Sequence, residues 1–491
     1  MKNDSYLTIE TLAPLIRNKH LSPVELARFI LDRAARLQPT INAYITITAD
    51  IAMAQARMAE KDIMRGRYRG VLHGIPISLK DLYQTRGVLT TAGSKILRKF
   101  IPQESADVVN RLSEAGCVMI GKTNLHEFAF GATNVNPHYG PVRNPWDTGR
   151  MSGGSSGGSA ASVVSAQAVG SFGTDTGGSI RIPASACGCV GLKPTYGRIP
   201  MNGVIPLAGS LDHAGPLARS VMDAALLFEA VAEPNLWGGN ARRTVAEIRK
   251  GIKSFRIGIP KQYFFDRLQP AVRKAVSDAI PVLERLGAEI REIDLTGMKA
   301  TPGLAAEITG DEALVYHEKW MKLRPLDYGK DVRLRLEQCK RATSTAYIKA
   351  QQDRLAYSKR LAAVLDNVHL LLTPTLPIVA PFIKQNEVRI GNSTDDVRLA
   401  LLRLTRPGNL SGLPAISIPC GFSSEGLPVG MQLIGRHAGE AELLRAAYAY
   451  EQATLWHFRF PEDPMVQPKE SDGPGSIEGK RVAGMPGLRR G

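Results

Sequence analysis

One lysine and two serine–glycine runs are the residues of this 491-residue chain best suited to bond-breaking chemistry. The first run, SGGSSGGS, spans residues 152–159, and the second, GTDTGGSIRIPAS, spans 173–185. In the second, Ser179 follows Thr176, Gly177 and Gly178. Two glycines let successive backbone N–H groups point into one space, as an oxyanion pocket requires. Ser179 would then sit beside its own oxyanion donors; the alternative is a plain turn before a strand, and this segment alone leaves the two even. Lys80 stands in ISLKD, residues 77–81. Lysine is a useful base only when neutral, and its ordinary pKa is about 10.4. Burial among Ile77 and Leu79 would lower that value. A hydroxyl both accepts and donates a proton, so one serine can relay between another serine and a lysine. Asp81 is the rival partner for Lys80.

Other patterns fail on context. GCVMIGKT, residues 116–123, fits the phosphate-loop pattern letter for letter. That loop needs a strand before it and a helix after it. Here a helix and a glycine come first, and Cys117, Val118, Met119 and Ile120 read as core. Gly154–Gly158 fits G-x-S-x-G with Ser156 at its centre, but a nucleophile elbow follows a buried strand. The residues before it, RNPWDTGRMS, are polar and turn-rich. As a phosphate loop the same stretch fails because Ser159 stands where lysine is required. The nine histidines form no H-E-x-x-H pair, and Cys187-x-Cys189 lacks a second pair at zinc spacing. His73, His126, His138 and His213 lie near the glycine-rich region without an acid at a telling position.

The elements that must carry these residues alternate in type. Ser22, Pro23 and Glu25 open an amphipathic helix, with Leu26, Phe29, Ile30 and Ala34 at helical spacing. A strand-like run ends at Lys80-Asp81; SADVVNRLSEAG reads as a helix stopping at Gly116; CVMIGKTN reads as a short buried strand. SAASVVSAQAV suits a tightly packed helix. FRIGIP (255–260), EIREID (289–294), HLLLTPT (369–375), AISIPCGF (415–422) and VGMQLIG (429–435) read as strands, with a helix through roughly 270–287. This alternation predicts an α/β layered sheet.

ISLKD, SGGSSGGS and GTDTGGSIRIPA, in this order, resemble the amidase signature family. The resemblance continues through GLKPTYGRIP (191–200), SLDHAGPLARS (210–220) and GLPAISIPCG (412–421), and covers most of residues 5–460. The spacing is specific: Ser155 lies 75 residues after Lys80 (155 − 80) and Ser179 lies 24 after Ser155 (179 − 155). The resemblance implies a large mixed, twisted β-sheet sandwiched by helices, with N-terminal helices. It implies Ser179 as nucleophile, Ser155 as bridging serine and Lys80 as base, with a cis peptide between Gly154 and Ser155. Backbone N–H groups of Thr176, Gly177, Gly178 and Ser179 would form the oxyanion hole. Asp175 and Arg181 match family positions and are expected to serve structural hydrogen bonding. Phe128, Phe130 and Thr133 in HEFAFGATN either line the acyl pocket or pack the core. The reaction implied is amide hydrolysis through a seryl acyl-enzyme, with neither metal nor organic cofactor.

Two family members compete. One is a free-standing amidase acting on a carboxamide, anilide or carbamate-like substrate. The other is the A subunit of a tRNA-dependent amidotransferase, which releases ammonia from glutamine; only that alternative brings nucleic acid as a partner. Glutamine-handling subunits resemble one another in a Tyr-Tyr pair before a KAQ helix and an acid after the IG strand. Here TAYIKAQQDR (345–354) has Ile348 at the second tyrosine, and His437-Ala438-Gly439 stands in the region of the acid. The free-standing amidase is preferred.

Composition sets the outer limits. The net charge is +16, which reads as a basic, solubilising surface, since no block of basic residues or aromatic–basic interleaving accompanies it. Five scattered cysteines argue for a reducing compartment, and the N-terminus has no signal-peptide core, so a cytoplasmic location is expected. No apolar run of about 18 residues points to a membrane. The expected organisation is a helical segment over 1–60, the amidase domain over 61–463 and a disordered tail over 464–491. A homodimer is compatible with it, and the oligomeric state stays open.

Overall fold

In the computed structural model, residues 7–236, 240–339 and 343–463 are described. The expectation for the 464–491 tail lies outside them. Eleven strands form one mixed sheet: β1 Tyr44–Ile47, β2 Pro76–Lys80, β3 Val118–Thr123, β4 Gly170–Asp175, β5 Val190–Lys193, β6 His213–Ala218, β7 Arg256–Pro260, β8 Glu289–Ile293, β9 Leu370–Pro374, β10 Ala415–Phe422 and β11 Pro428–Gly435. Their spatial order is β1-β3-β2-β4-β6-β5-β10-β11-β9-β7-β8. Parallel pairing joins β2 to β3 and β4, and β7 to β8 and β9; the other neighbours are antiparallel. Every residue of β2, β4, β9 and β11 is buried, as a sheet covered on both faces demands.

The helices of six residues or more are α1 Ile9–Arg17, α2 Pro23–Ile41, α3 Ala49–Met64, α4 Asp107–Glu114, α5 Gly157–Val164, α6 Arg181–Cys187, α7 Val221–Val231, α8 Pro270–Arg285, α9 Thr301–Leu323, α10 Lys330–Cys339, α11 Ser344–Leu365, α12 Val397–Arg403, α13 Arg406–Ser411 and α14 Glu440–Gln452. Ser22 caps α2 as its sequence predicts, accepting from the N–H groups of Val24 (3.0 Å) and Glu25 (3.3 Å). Its own proton goes to Glu60 on α3 at 2.5 Å, which ties the two helices together. The N-terminal segment is more than helices, because it lends β1 to the sheet edge beside β3. None of the described helices is long and apolar enough to cross a membrane.

Small residues set the layer spacing around the chemistry. α5 and α6 are buried along their whole length and pack on each other and on the sheet. A Cβ on Gly158 would lie 2.4 Å from the carbonyl oxygens of Ala43 and Asn124, so the first turn of α5 packs there only around hydrogen. The glycines of SGGSSGGS therefore serve close approach as well as bending.

Candidate active site

Lys80 ends β2, is wholly buried, and meets two hydroxyls. Its Nζ lies 2.7 Å from Ser155 Oγ and 2.7 Å from Thr174 Oγ1 on β4. The parallel register of β2 and β4 brings Thr174 alongside it, while Ser155 comes from the loop before α5. Burial lowers the Lys80 pKa to about 7, against the pull of the Asp212 and Asp175 carboxylates, which raises it. Asp81, the rival partner, instead pairs with Lys122 at 2.9 Å and accepts from the Thr91 N–H and hydroxyl. Lys122 is the lysine of GCVMIGKT; it sits within strand β3, so that stretch is sheet core. Ser156 is also buried, with its hydroxyl donating to the Thr174 carbonyl at 3.1 Å.

The peptide between Gly154 and Ser155 is cis. Ser179 lies close by, because its carbonyl accepts from the Ser156 N–H at 3.2 Å. It stands between β4 and α6, in a loop held by one carboxylate. Asp175 Oδ1 accepts from the Gly178 N–H at 2.7 Å and Oδ2 from the Ile180 N–H at 3.2 Å. The same carboxylate takes two hydrogen bonds from the buried Arg181 guanidinium, both at 3.0 Å, and one from Asn409 Nδ2 at 2.8 Å. Arg181 also donates to Thr405 O, Gln432 Oε1 and Asn409 Oδ1. Burial opposes the Asp175 charge, but Arg181 and Lys193 hold its carboxyl well below the usual range. The structural role expected of Asp175 and Arg181 is thus visible atom by atom.

This knot changes the donor set. The Gly178 N–H, expected to face an oxyanion, is directed at Asp175. The N–H groups of Thr176, Gly177 and Ser179 have no partner among the described residues. Gly178 has φ +136°, and a Cβ there would lie 2.2 Å from Thr405 Oγ1, so no other residue fits. The Thr176 hydroxyl donates to Asp212 at 2.5 Å, and Asp212 also accepts from Leu207 and Ala208 N–H. Burial raises the Asp212 pKa to about 6 against those bonds. Sequence reasoning did not single out Asp212; its place in the SLDHAGPLARS motif was the available signal.

The three residues weighed for the acyl pocket separate. Phe128 takes the packing alternative: it is fully buried, edge-on to His317 at 4.4 Å between ring centroids and close to Tyr316, Trp320 and Tyr328. Phe130 is buried too, beneath the Arg335 guanidinium. Thr133 alone borders a cleft, of about 390 Å³. The nearby histidines serve other contacts: His126 meets Asp331, His138 meets Glu127, and His213 Nδ1 faces the Leu211 carbonyl. Among the described residues no group of three or more His, Cys, Asp or Glu could hold a metal ion.

Comparison with known proteins finds relatives along most of the chain. The profile of the Amidase family matches residues 25–444. A glutamyl-tRNA(Gln) amidotransferase subunit of Geobacter sp. (strain M21) is 40% identical over 484 residues, spanning 92% of this chain and 98% of that protein. A crystal structure of an amidase is 35% identical with a TM-score of 0.84, over 91% of this chain and 99% of that one. The peptide amidase from Stenotrophomonas maltophilia is 28% identical with a TM-score of 0.81, over 94% and 99%.

Proposed function

Because the chain belongs to the amidase signature family, an enzyme family cleaving C–N bonds, we propose that it hydrolyses a carboxamide through an acyl-enzyme on Ser179. The observation that carries this is the buried contact of 2.7 Å between Lys80 Nζ and Ser155 Oγ. With a pKa of about 7, Lys80 is largely neutral just above neutrality and can take a proton. Ser179 Oγ attacks the carbonyl carbon, passing its proton to Ser155 as Ser155 passes its own to Lys80. The N–H groups of Thr176, Gly177 and Ser179 receive the oxyanion; each such donor is worth about 2.7–4 kcal/mol. The relay then returns a proton to the leaving amine or ammonia, and water attacks the acyl-enzyme. The step adds one contact to the geometry described, Ser179 Oγ to Ser155 Oγ, of the kind that tightens when substrate binds.

The substrate reading is a free-standing amidase taking a small amide, anilide or carbamate-like compound. It rests on Ile348, which is 56% exposed where glutamine-handling subunits resemble one another in a tyrosine, and on the lack of a carboxylate at 437–439. A second reading, a glutamine-hydrolysing subunit of an amidotransferase, draws on the relatives at 40% identity. Only that reading includes tRNA and partner subunits. A cytoplasmic setting fits the five cysteines, all free.

Ammonia or amine release from glutamine and from a panel of alkyl and aryl amides tests both. Activity confined to glutamine and dependent on added subunits would overturn the preference. Ser179→Ala should abolish all hydrolysis while circular dichroism stays native; retained turnover would remove Ser179 as nucleophile.

A further inference from the structure

In the sheet, β4 lies between β2 and β6. β2 ends at Lys80, whose Nζ reaches Thr174 Oγ1 at 2.7 Å. β6 begins at His213, paired opposite Asp175, so Asp212 falls beside Thr176 and takes its hydroxyl proton at 2.5 Å. Lys80 and Asp212 therefore meet the end of β4 from its two sides, at hydroxyls that flank Asp175. Asp212 is 3% exposed, and its second oxygen accepts from the N–H groups of Leu207 (2.9 Å) and Ala208 (3.1 Å). The loop that carries it is fixed from outside. Glu312 on α9 accepts from the Ser210 N–H at 2.8 Å and hydroxyl at 2.5 Å, and Arg354 on α11 donates to the Ser210 carbonyl at 2.7 Å.

The other charges around this pair are matched or suppressed. Asp175 holds Arg181 at 3.0 Å and Asp81 holds Lys122 at 2.9 Å. Burial disfavours the cationic forms of Lys193 and His213. Tyr196, edge-on to His213, gives its hydroxyl to the Gly209 carbonyl. Asp212 has only neutral donors among the described residues, and Lys80 has only hydroxyls in contact. When a proton moves from Ser179 through Ser155 to Lys80, an ammonium appears in the protein interior, where an opposite charge counts for more than in water.

We propose that Asp212 is a positioning residue of this reaction: it fixes Thr176 at the head of the oxyanion loop and supplies the negative charge that faces Lys80 as Lys80 gains its proton. The inference deepens the amidase reading and rests on it. Asp212 itself takes no proton in the step; the proton goes from Lys80 back through Ser155 to the leaving amine or ammonia. Its charge also raises the Lys80 pKa against burial, which keeps the lysine basic enough to serve.

The test follows modification of Ser179 by phenylmethanesulfonyl fluoride, a probe that needs no knowledge of the natural amide. Intact mass gives the rate between pH 5.5 and 9, with Ser179→Ala as the blank. The wild-type rate should rise through about 7 as Lys80 loses its proton. Asp212→Asn keeps an acceptor for the Thr176 hydroxyl but removes the charge. Its inflection should move down by about one pH unit, and its plateau should fall because a weaker base takes the proton less well. Asp212→Glu should bring the inflection back toward the wild-type value. If Asp212→Asn does not fold, Thr176→Val makes the same test: it removes a hydrogen bond that favours the Asp212 charge, so the inflection should again move down. A slower rate with an unmoved inflection in the folded variant would overturn the proposal, and so would an Asp212→Glu profile that matches Asp212→Asn. No Ser179-dependent modification of the wild type would instead sink the Ser179 chemistry, and the proposal with it.

Discussion

Lys80 and Lys122 are both wholly buried and differ in what they touch. Lys122 has a carboxylate at 2.9 Å, whereas Lys80 has two hydroxyls at 2.7 Å. Asp81 follows Lys80 directly, yet successive side chains along a strand point to opposite faces, so adjacency in sequence separates them in space. Without a carboxylate in contact, burial dominates and Lys80 can be neutral near pH 7. The acylation rate should therefore rise with pH through about 7 and level off, because the neutral form is the base. Stopped-flow measurement of kcat/KM between pH 5.5 and 9 on an amide that turns over checks this. Lys80→Met should lower kcat/KM about 10²–10⁴-fold, the range of general-base catalysis, and remove the inflection near 7. An inflection that survives the substitution would assign it to another group, with Asp212 (about 6) the first to consider.

At the scale of elements, the decisive unit is β4, the loop 176–180 and α6. The motif that names it was legible, but the strand was not. GSFGTD has two glycines and little β-branched character, and it is a strand because β2 and β6 flank it and its glycines admit close neighbours. β10, β11 and β9, with their longer apolar runs, could be read directly. The direction of the Gly178 N–H was likewise invisible, since it depends on where Asp175 is pulled by Arg181 and by Asn409 on α13, residues 6 and 234 positions away. Phe128 was undecidable for the same reason: its partners come from α9, far along the chain. The knot should be a stability element as well as a positioning one. Asp175→Asn removes the charge that compensates a fully buried Arg181, and breaking such a pair costs about 3–5 kcal/mol. Urea unfolding at pH 7 should show a loss of that order, together with a fall in kcat as the Gly178 N–H is released. A midpoint within experimental error of wild type would mean that Gln432, Asn409 and Thr405 suffice for Arg181.

The whole molecule is closed by its N-terminal layer, and the way that layer docks makes stability depend on pH. The hydrophobic spacing of α2 announced a helix with a buried face, but not the polar groups that anchor α1. Asp223 accepts from the first N–H groups of α1, Ile9 at 2.8 Å and Glu10 at 3.2 Å, while Glu451 on α14 accepts from Val221 at the start of α7 at 2.8 Å. Both carboxylates are buried. Burial raises Asp223 to about 7 and Glu451 to about 8, each helped by the charge of Glu10 and, for Glu451, of Asp223. Their unfolded values are about 4. Between about pH 4 and 8 the folded chain thus holds more protons than the unfolded one, and stability from this pair is lost as pH rises. Asp223→Asn with Glu451→Gln removes the titration while keeping an acceptor at each helix start. The doubly substituted protein should lose less stability than wild type on going from pH 5 to pH 8, by on the order of 6 kcal/mol. Comparing the two proteins at each pH cancels the titration of every other group, Lys80 included. Parallel slopes in urea midpoints across that range would show that the α1 dock is insensitive to these two carboxylates.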